Sequence, residues 1–357
     1  MKVVVTSAVS IRLLASRTLN QLRCWASYAL SLFGVVRVRH LPTFVSVEPA
    51  NFCQLRCPEC PVGLRGERRE AKGERGTPLL GGAGGGLLTM ELFHRILDEV
   101  KEHAHTMQFY FQGEPLLNKQ LPEMIAAAHQ VGLYTIVSTN AQALNRSMAE
   151  ALVKSGLNRI IVSIDGFSEE SYAAYRVGGS LHKALEGLQH LANAKAEYHS
   201  RIRIEMQVLR LKSNEHEWSW IKKNYKKLGA THLIFKTAQL YDFEHGHPLM
   251  PTDERYSRYR KTADGTYIHK SSPLHSTPYT LHRAFGTLCL RLWSGCVITT
   301  SGEVLPCCYD KDHRHTYGNI TQQSLTELYH STKANALRRR VLLYQGEPLE
   351  MCKNCNQ

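Results

Sequence analysis

Six short apolar runs alternate with longer stretches in which apolar residues recur every three or four positions. The strand-like runs are Phe44–Val47, Met107–Phe111, Tyr134–Ser138, Arg159–Ile164, Ile202–Val208 and His232–Lys236. Helical patterns fall between them at Met90–Ala104, Leu121–Val131, Met148–Ser155, His182–Glu197 and Glu215–Leu228. This alternation predicts an α/β fold, a parallel sheet with helices outside. Six strands suggest an open, partial (β/α)6 TIM-like barrel. In such folds the loops after the strands carry the active site.

The same pattern predicts four regions. Residues 1–42 form a basic, amphipathic N-terminal helical segment. Residues 43–240 form the barrel core, interrupted by a flexible glycine-rich insertion at 61–88. After Lys236 the alternation stops, and 241–285, rich in His, Tyr, Pro and Thr, reads as a linker. A small cysteine-bearing unit follows at 286–357.

Residues 1–47 contain no Asp or Glu, but carry Lys2, Arg12, Arg17, Arg23, Arg37 and Arg39. Leu19, Leu22, Ala26, Ala29, Leu30 and Phe33 recur at helical spacing. A helix packed beneath the first strand, an interfacial helix on anionic lipid, and a transit peptide all fit. The uncharged run Cys24–Val36 is too short to span a bilayer. The expected location is cytoplasmic, with membrane association through this helix left open.

The insertion holds nine glycines. Gly81-Gly82-Ala83-Gly84-Gly85-Gly86 looks like a phosphate loop, but no Gly-Lys-Ser/Thr follows it. A flexible loop is the better reading, with a lid over the site as one role for it. Hydrophobic content of 43% and charged content of 21% are those of a globular protein. The net charge of +13 invites nucleic acid, an acidic partner or a membrane surface.

Ten cysteines fall in tight groups: three at 53–60, four at 289–308, two at 352–355, and Cys24 alone. Grouping of this kind fits metal sites in a reducing compartment rather than disulfides. Cys53, Cys57 and Cys60 stand at C-x3-C-x2-C just after the first strand. Three thiolates on one loop can hold three irons of a cubane and leave the fourth iron open. A zinc knuckle favours paired ligands and fits this spacing poorly.

This motif resembles the radical S-adenosylmethionine (SAM) superfamily. The resemblance implies that the open iron chelates SAM. Reductive cleavage then yields a 5′-deoxyadenosyl radical, which abstracts hydrogen from substrate. A low-potential donor of flavodoxin or ferredoxin type would supply the electron. The second strand ends in Gly113-Glu114-Pro115, which resembles the family turn that contacts the SAM amino group. Ser138-Thr139-Asn140 and Ser163-Ile164-Asp165-Gly166 close the third and fourth strands and resemble family segments near the ribose and carboxylate. Arg176 is similarly placed to reach the carboxylate. Each of these residues also suits a turn or a helix cap.

In the C-terminal unit, Cys289, Cys307, Cys352 and Cys355 stand at C-x17-C-x44-C-x2-C, with Gly302-Glu303-Val304-Leu305-Pro306-Cys307 between. This resembles the Twitch/SPASM extension of radical SAM enzymes. It implies one auxiliary cluster with four protein ligands, hence two [4Fe–4S] clusters and SAM in all. Cys308 competes with Cys307, and Cys296 with Cys289. Seven thiolates and two oxidised cubanes would together offset about 3 units of the positive charge.

A fully ligated auxiliary cluster suits an electron acceptor. The first expectation is therefore oxidation of a small hydroxylated molecule, with Asp165 or Lys236 as base. The alternative is modification of a ribosomal peptide or protein side chain. A non-enzymatic iron–sulfur or zinc redox sensor, or a nucleic-acid-binding protein, would need no SAM pocket. The strand-end residues argue against it.

Overall fold

A computed structural model describes residues 11–64, 86–270, 289–342, 349–353 and 355. The lid reading falls on residues 65–85, outside the described residues. So do 271–288, which include the end of the stretch read as a linker.

All six strand runs form strands within a residue or two of expectation: β1 Phe44–Val47, β2 Thr106–Phe109, β3 Tyr134–Thr139, β4 Arg159–Ser163, β5 Arg203–Arg210 and β6 His232–Thr237. They pair in parallel and in chain order. Alternation then sorts their side chains. Val45, Val47, Met107, Phe109, Val137, Ile160, Val162, Ile204, Met206 and Val208 join the buried core beneath the helices. Ser46, Gln108, Ser138, Ile161, Glu205 and Lys236 occupy the intervening positions, toward the barrel lumen.

Helices α2 Met90–Val100, α3 Leu121–Gln130, α4 Arg146–Lys154, α5 Glu169–Ala173, α6 Leu181–Glu197 and α7 Trp218–Asn224 connect the strands. Helix α2 starts at the Thr89 cap, whose hydroxyl accepts from Leu92 N–H, and buries Phe93, Ile96, Leu97 and Val100. It stops short of Ala104 because Arg17 takes the Lys101 carbonyl. The last expected helix splits into a 3-10 turn, Lys212–Glu217, and α7. Buried Asn214 pulls that turn inward by donating to Asp165 O and Leu209 O, each at 2.8 Å.

The sheet does not end with the barrel. Helix α8 Arg291–Ser294 leads to β9 Gly295–Ile298, which pairs in parallel with β1, placing Phe44 against Gly295 and Val47 against Ile298. Strands β10 Glu303–Leu305 and β11 Gly318–Asn319 add antiparallel beyond it. One nine-stranded sheet results, ordered β11-β10-β9-β1-β2-β3-β4-β5-β6. Within the stretch read as a linker, β7 Tyr259–Lys261 pairs with β8 Tyr267–His269. Tyr259, Leu240 and Met250 pack with Leu55 and Cys57 in a second buried cluster. Helices α9 Leu325–His330 and α10 Thr332–Leu342 close the described C-terminal unit.

The N-terminal helix, α1 Ile11–Leu32, reverses its expected packing. Its buried face is Arg17, Asn20, Cys24, Ser27 and Ser31, while Leu19, Leu22, Leu30 and Phe33 are exposed. The reason is hydrogen bonding. Arg17 donates to Lys101 O, Val131 O and Gly132 O, which lie just past α2 and α3. Those carbonyls are orphans that a helix end must satisfy. Among the described residues, no helix is long and apolar enough to cross a membrane.

Candidate cofactor site

The loop after β1 is shaped by a close backbone approach. A Cβ on Gly113 would lie 2.1 Å from the Ala50 carbonyl oxygen, so only glycine fits there. Glu114 N–H donates to Phe52 O (2.9 Å), tying the turn after β2 to the cysteine loop. The Glu114 carboxylate is buried. It accepts from Thr139 Oγ1 (2.6 Å), Asn140 N–H (2.8 Å) and Leu116 N–H (3.1 Å). Its side chain therefore joins the ends of β2 and β3, and burial raises its pKa against those bonds.

Donors converge on two of the three sulfurs. Asn140 Nδ2 lies 3.3 Å and Leu55 N–H 3.4 Å from Cys53 Sγ, and Arg176 Nη1 lies 3.8 Å from Cys57 Sγ. Cys60 N–H closes the turn onto Cys57 O (3.1 Å). Burial pushes the Cys53 thiol up to about 12, helped by Glu114, Cys60 and Cys57. Burial also raises Cys57, with Arg176 opposing. Thiols crowded in this way favour cation ligation, which holds them as thiolates. The surrounding N–H donors suit sulfur in that state.

Asp165 and Arg176 form a buried pair. Asp165 Oδ2 accepts from Arg176 Nε (2.7 Å) and Nη2 (2.6 Å), and Oδ1 accepts from Leu209 N–H (2.6 Å). Burial opposes the charge on Arg176, but Asp165 and Cys57 outweigh it and raise its pKa. Asp165, expected among the bases, is wholly buried with both oxygens engaged. Asn140 Oδ1 accepts from Gln54 Nε2 (3.1 Å) and Gln142 N–H (2.9 Å). Pro115 starts a 3-10 turn, Ser163 is buried, and Ser138 is half-buried on the lumen side.

A cavity of about 230 Å³ lies between the barrel and the C-terminal unit. Phe44, Ser46, Gln108, Tyr110, Lys236 and Arg291 line it, with Cys307 and Cys308. Lys236 stays exposed at the cavity wall, and partial desolvation lowers its pKa, with Arg159 and Arg258 adding to the effect while Glu205 resists it. Burial pushes the Tyr110 hydroxyl up to about 12, with Cys308 adding to it. Glu205 itself is spent on Arg159 and Arg203. A larger open groove by Leu41, Arg95, Asp98, Glu99, His103 and Thr326 contains none of these side chains.

The C-terminal cysteines other than Cys296 are electrostatically linked, with Cys308 the first charged neighbour of Cys307. Burial raises the Cys307 thiol strongly, with Cys308, Cys289 and Cys352 adding to it. Burial, then Cys289 and Cys355, push Cys352 up to about 12. Cys289 is raised by burial and by Cys355, against the Leu292 and Arg291 backbone N–H groups. Cys289, Cys307, Cys308, Cys352 and Cys355 are thus electrostatic neighbours. Cys296 sits inside the core on β9. Burial pushes its thiol up to about 12, and Arg338 is its charged neighbour. Cys308 faces Arg291 Nη1 at 3.9 Å and acts on Tyr110 and Lys236. His313 pairs with Glu303 instead (2.9 Å). Among the described residues, no three His, Cys, Asp or Glu converge on a single ion. A cubane asks something different, since each thiolate reaches its own iron.

Sequence reasoning missed Tyr110, Arg291 and Lys311 as parts of the site. Lys311 Nζ donates to Tyr241 OH (2.8 Å), and burial lowers its pKa against Cys60 and Cys308. The signal available was its place three residues after the Cys-Cys pair, which periodicity does not weigh.

Residues 47–203 match the sequence model of the radical SAM superfamily, and residues 289–356 match that of SPASM, an iron–sulfur cluster-binding domain. The chain belongs to the radical SAM superfamily. As a radical SAM/SPASM enzyme, it uses [4Fe–4S] clusters and SAM. One similar protein is the PqqA peptide cyclase of Rhizobium meliloti, 26% identical over 328 residues, covering 88% of this chain and 80% of that protein. SuiB of Streptococcus suis, solved with S-adenosylmethionine, has a TM-score of 0.60 at 13% identity, over 88% of this chain and 71% of SuiB. BtrN, solved with AdoMet and 2-DOIA, has a TM-score of 0.50 at 18% identity, over 89% of this chain and 94% of BtrN. These two structures share the fold of this radical SAM enzyme.

Proposed function

We propose that this radical SAM/SPASM enzyme abstracts a hydrogen atom from a side chain of a peptide or protein, which enters the lumen between β1, β6 and β9. The observation that carries this reading is the match to a peptide cyclase along 328 residues, through both the barrel and the C-terminal unit. Oxidation of a small hydroxylated molecule draws on the same auxiliary thiols, but leaves that long match unexplained.

In this reading Cys53, Cys57 and Cys60 hold the SAM-binding cluster, and Cys289, Cys307, Cys352 and Cys355 the auxiliary one. When bound, these cofactors supply the hydrogen-abstracting radical and an electron acceptor. The main chain at Gly113-Glu114-Pro115, with Ser138, Asn140 and Ser163, orients SAM. Arg176 offsets negative charge beside Cys57, and Asp165 positions Arg176 rather than acting as base. Lys236, exposed on the wall of the cavity beside Tyr110 and Arg291, receives the proton. Arg291 holds an anionic group of the substrate.

The test is anaerobic turnover of reconstituted, reduced protein with SAM and peptides encoded beside its gene. Formation of 5′-deoxyadenosine in step with loss of hydrogen from one peptide is expected. Release of 5′-deoxyadenosine coupled only to oxidation of a small alcohol would return the reading to a dehydrogenase.

A further inference from the structure

Helix α1 is inside out. Ile11 is 86% exposed, Leu22 53%, Trp25 55% and Phe33, just past its end, 84%. Leu14, Leu19 and Leu30 are about half exposed beside them. At roughly 100° per residue these side chains share the face opposite Arg17, Asn20, Cys24, Ser27 and Ser31.

The helix cannot roll to bury this stripe. Arg17 fills three orphan carbonyls. Asn20 Nδ2 donates to Leu41 O (2.9 Å) and His103 O (3.1 Å), while its Oδ1 accepts from Leu41 N–H (2.9 Å). Turning the helix would strand all of these buried groups. The stripe is therefore a fixed feature of the surface, about 33 Å long at 1.5 Å per residue. Thr18 interrupts the face near its start, leaving Leu19, Leu22, Trp25, Leu30 and Phe33 as its main exposed apolar group, and grouped exposed apolar side chains of this kind mark interaction sites.

Charge selects the occupant. Arg12 and Arg23 are exposed at the edge of the stripe, at nearly the same angle as Leu19 and Leu30. Arg37 and Arg39 follow, also exposed, and the first 47 residues contain no acid. An apolar stripe with a tryptophan and a cationic margin matches the boundary between headgroups and acyl chains of an anionic bilayer.

We propose that α1 docks the enzyme flat on an anionic membrane surface, with Ile11, Leu22, Trp25 and Phe33 in the acyl boundary and Arg12 and Arg23 among the headgroups. The polar face stays on the barrel, so the helix lies in the interface and does not span.

Flotation of the full-length holoprotein with vesicles of phosphatidylcholine, or of phosphatidylcholine and phosphatidylglycerol at 7:3, tests this. Binding to the anionic vesicles, weakening with salt, is expected. L22Q/W25Q and R12E/R23E should each weaken it about tenfold or more. SAM cleavage by both variants should match the parent, showing that they fold. Equal binding of parent and variants, or no flotation, would overturn the proposal. Concentration-dependent dimerisation abolished by L22Q/W25Q would assign the stripe to a second copy instead.

Discussion

The two groups of thiols are built in opposite ways. Cys53, Cys57 and Cys60 come from eight consecutive residues, and the barrel trims their loop with single side chains: Asn140 from the end of β3 and Arg176 from beyond β4. Cys289, Cys307, Cys352 and Cys355 come from three separate segments, brought together by β9, β10 and the helices that follow. The first group needs the barrel only for its surroundings. The second needs its fold to exist at all. A local site tolerates changes in distant packing, whereas an assembled site fails with the scaffold that gathers it.

Substitution of the thiols gives the largest contrast. Cys57→Ala should abolish 5′-deoxyadenosine formation and reduce iron from about eight to about four per chain. Cys307→Ala should lose a similar amount of iron, keep SAM cleavage and lose the modified product. Iron analysis beside product chromatography separates the two, and loss of SAM cleavage in both would erase the distinction.

Lys236→Met should lower product formation about 100-fold, the scale of a missing general base, while leaving SAM cleavage within about threefold. The pH profile carries the sign. A lowered lysine pKa means that the neutral amine, the active form of a base, grows as pH rises. The product rate should therefore climb with pH and level above that pKa in the parent, and be flat in the variant. A falling limb would make Lys236 an anion anchor.

Asp165→Asn leaves Arg176 buried beside Cys57 without its counter-charge. Breaking such a pair costs about 3 kcal/mol, visible as a lower unfolding midpoint, and should raise the SAM KM about tenfold. The smallest effect is expected at Cys308. Cys308→Ala should leave iron at about eight and change product rate only a few-fold, because its sulfur faces Arg291 and the cavity. Loss of four irons there would move the ligand from Cys307 to Cys308.

The loop triad was legible in the sequence because its spacing is its geometry. The barrel was legible because period-two strands and longer helical stretches alternate without ambiguity. The burial of Cys296 was not, since only the pairing of β9 with β1 turns it into the core. The helical period of α1 was visible, but not its buried face. That face was chosen by carbonyls left open near the ends of α2 and α3, which no hydropathy pattern records. Asp165 looked like a base at a strand end, and only the partner eleven residues later shows that it is occupied. The continuity of the sheet into the C-terminal unit was hidden for the same reason, because pairing between strands about 250 residues apart leaves no local trace.

That continuity also bears on how the enzyme changes over time. Strands β1 and β9 share a backbone ladder, and the SAM-cluster loop leaves from one while the auxiliary unit grows from the other. A change that shifts β9 therefore also shifts β1 and the loop that leaves it. Side chains that line the cavity without joining that ladder, such as Tyr110, Lys236 and Arg291, can change without disturbing it.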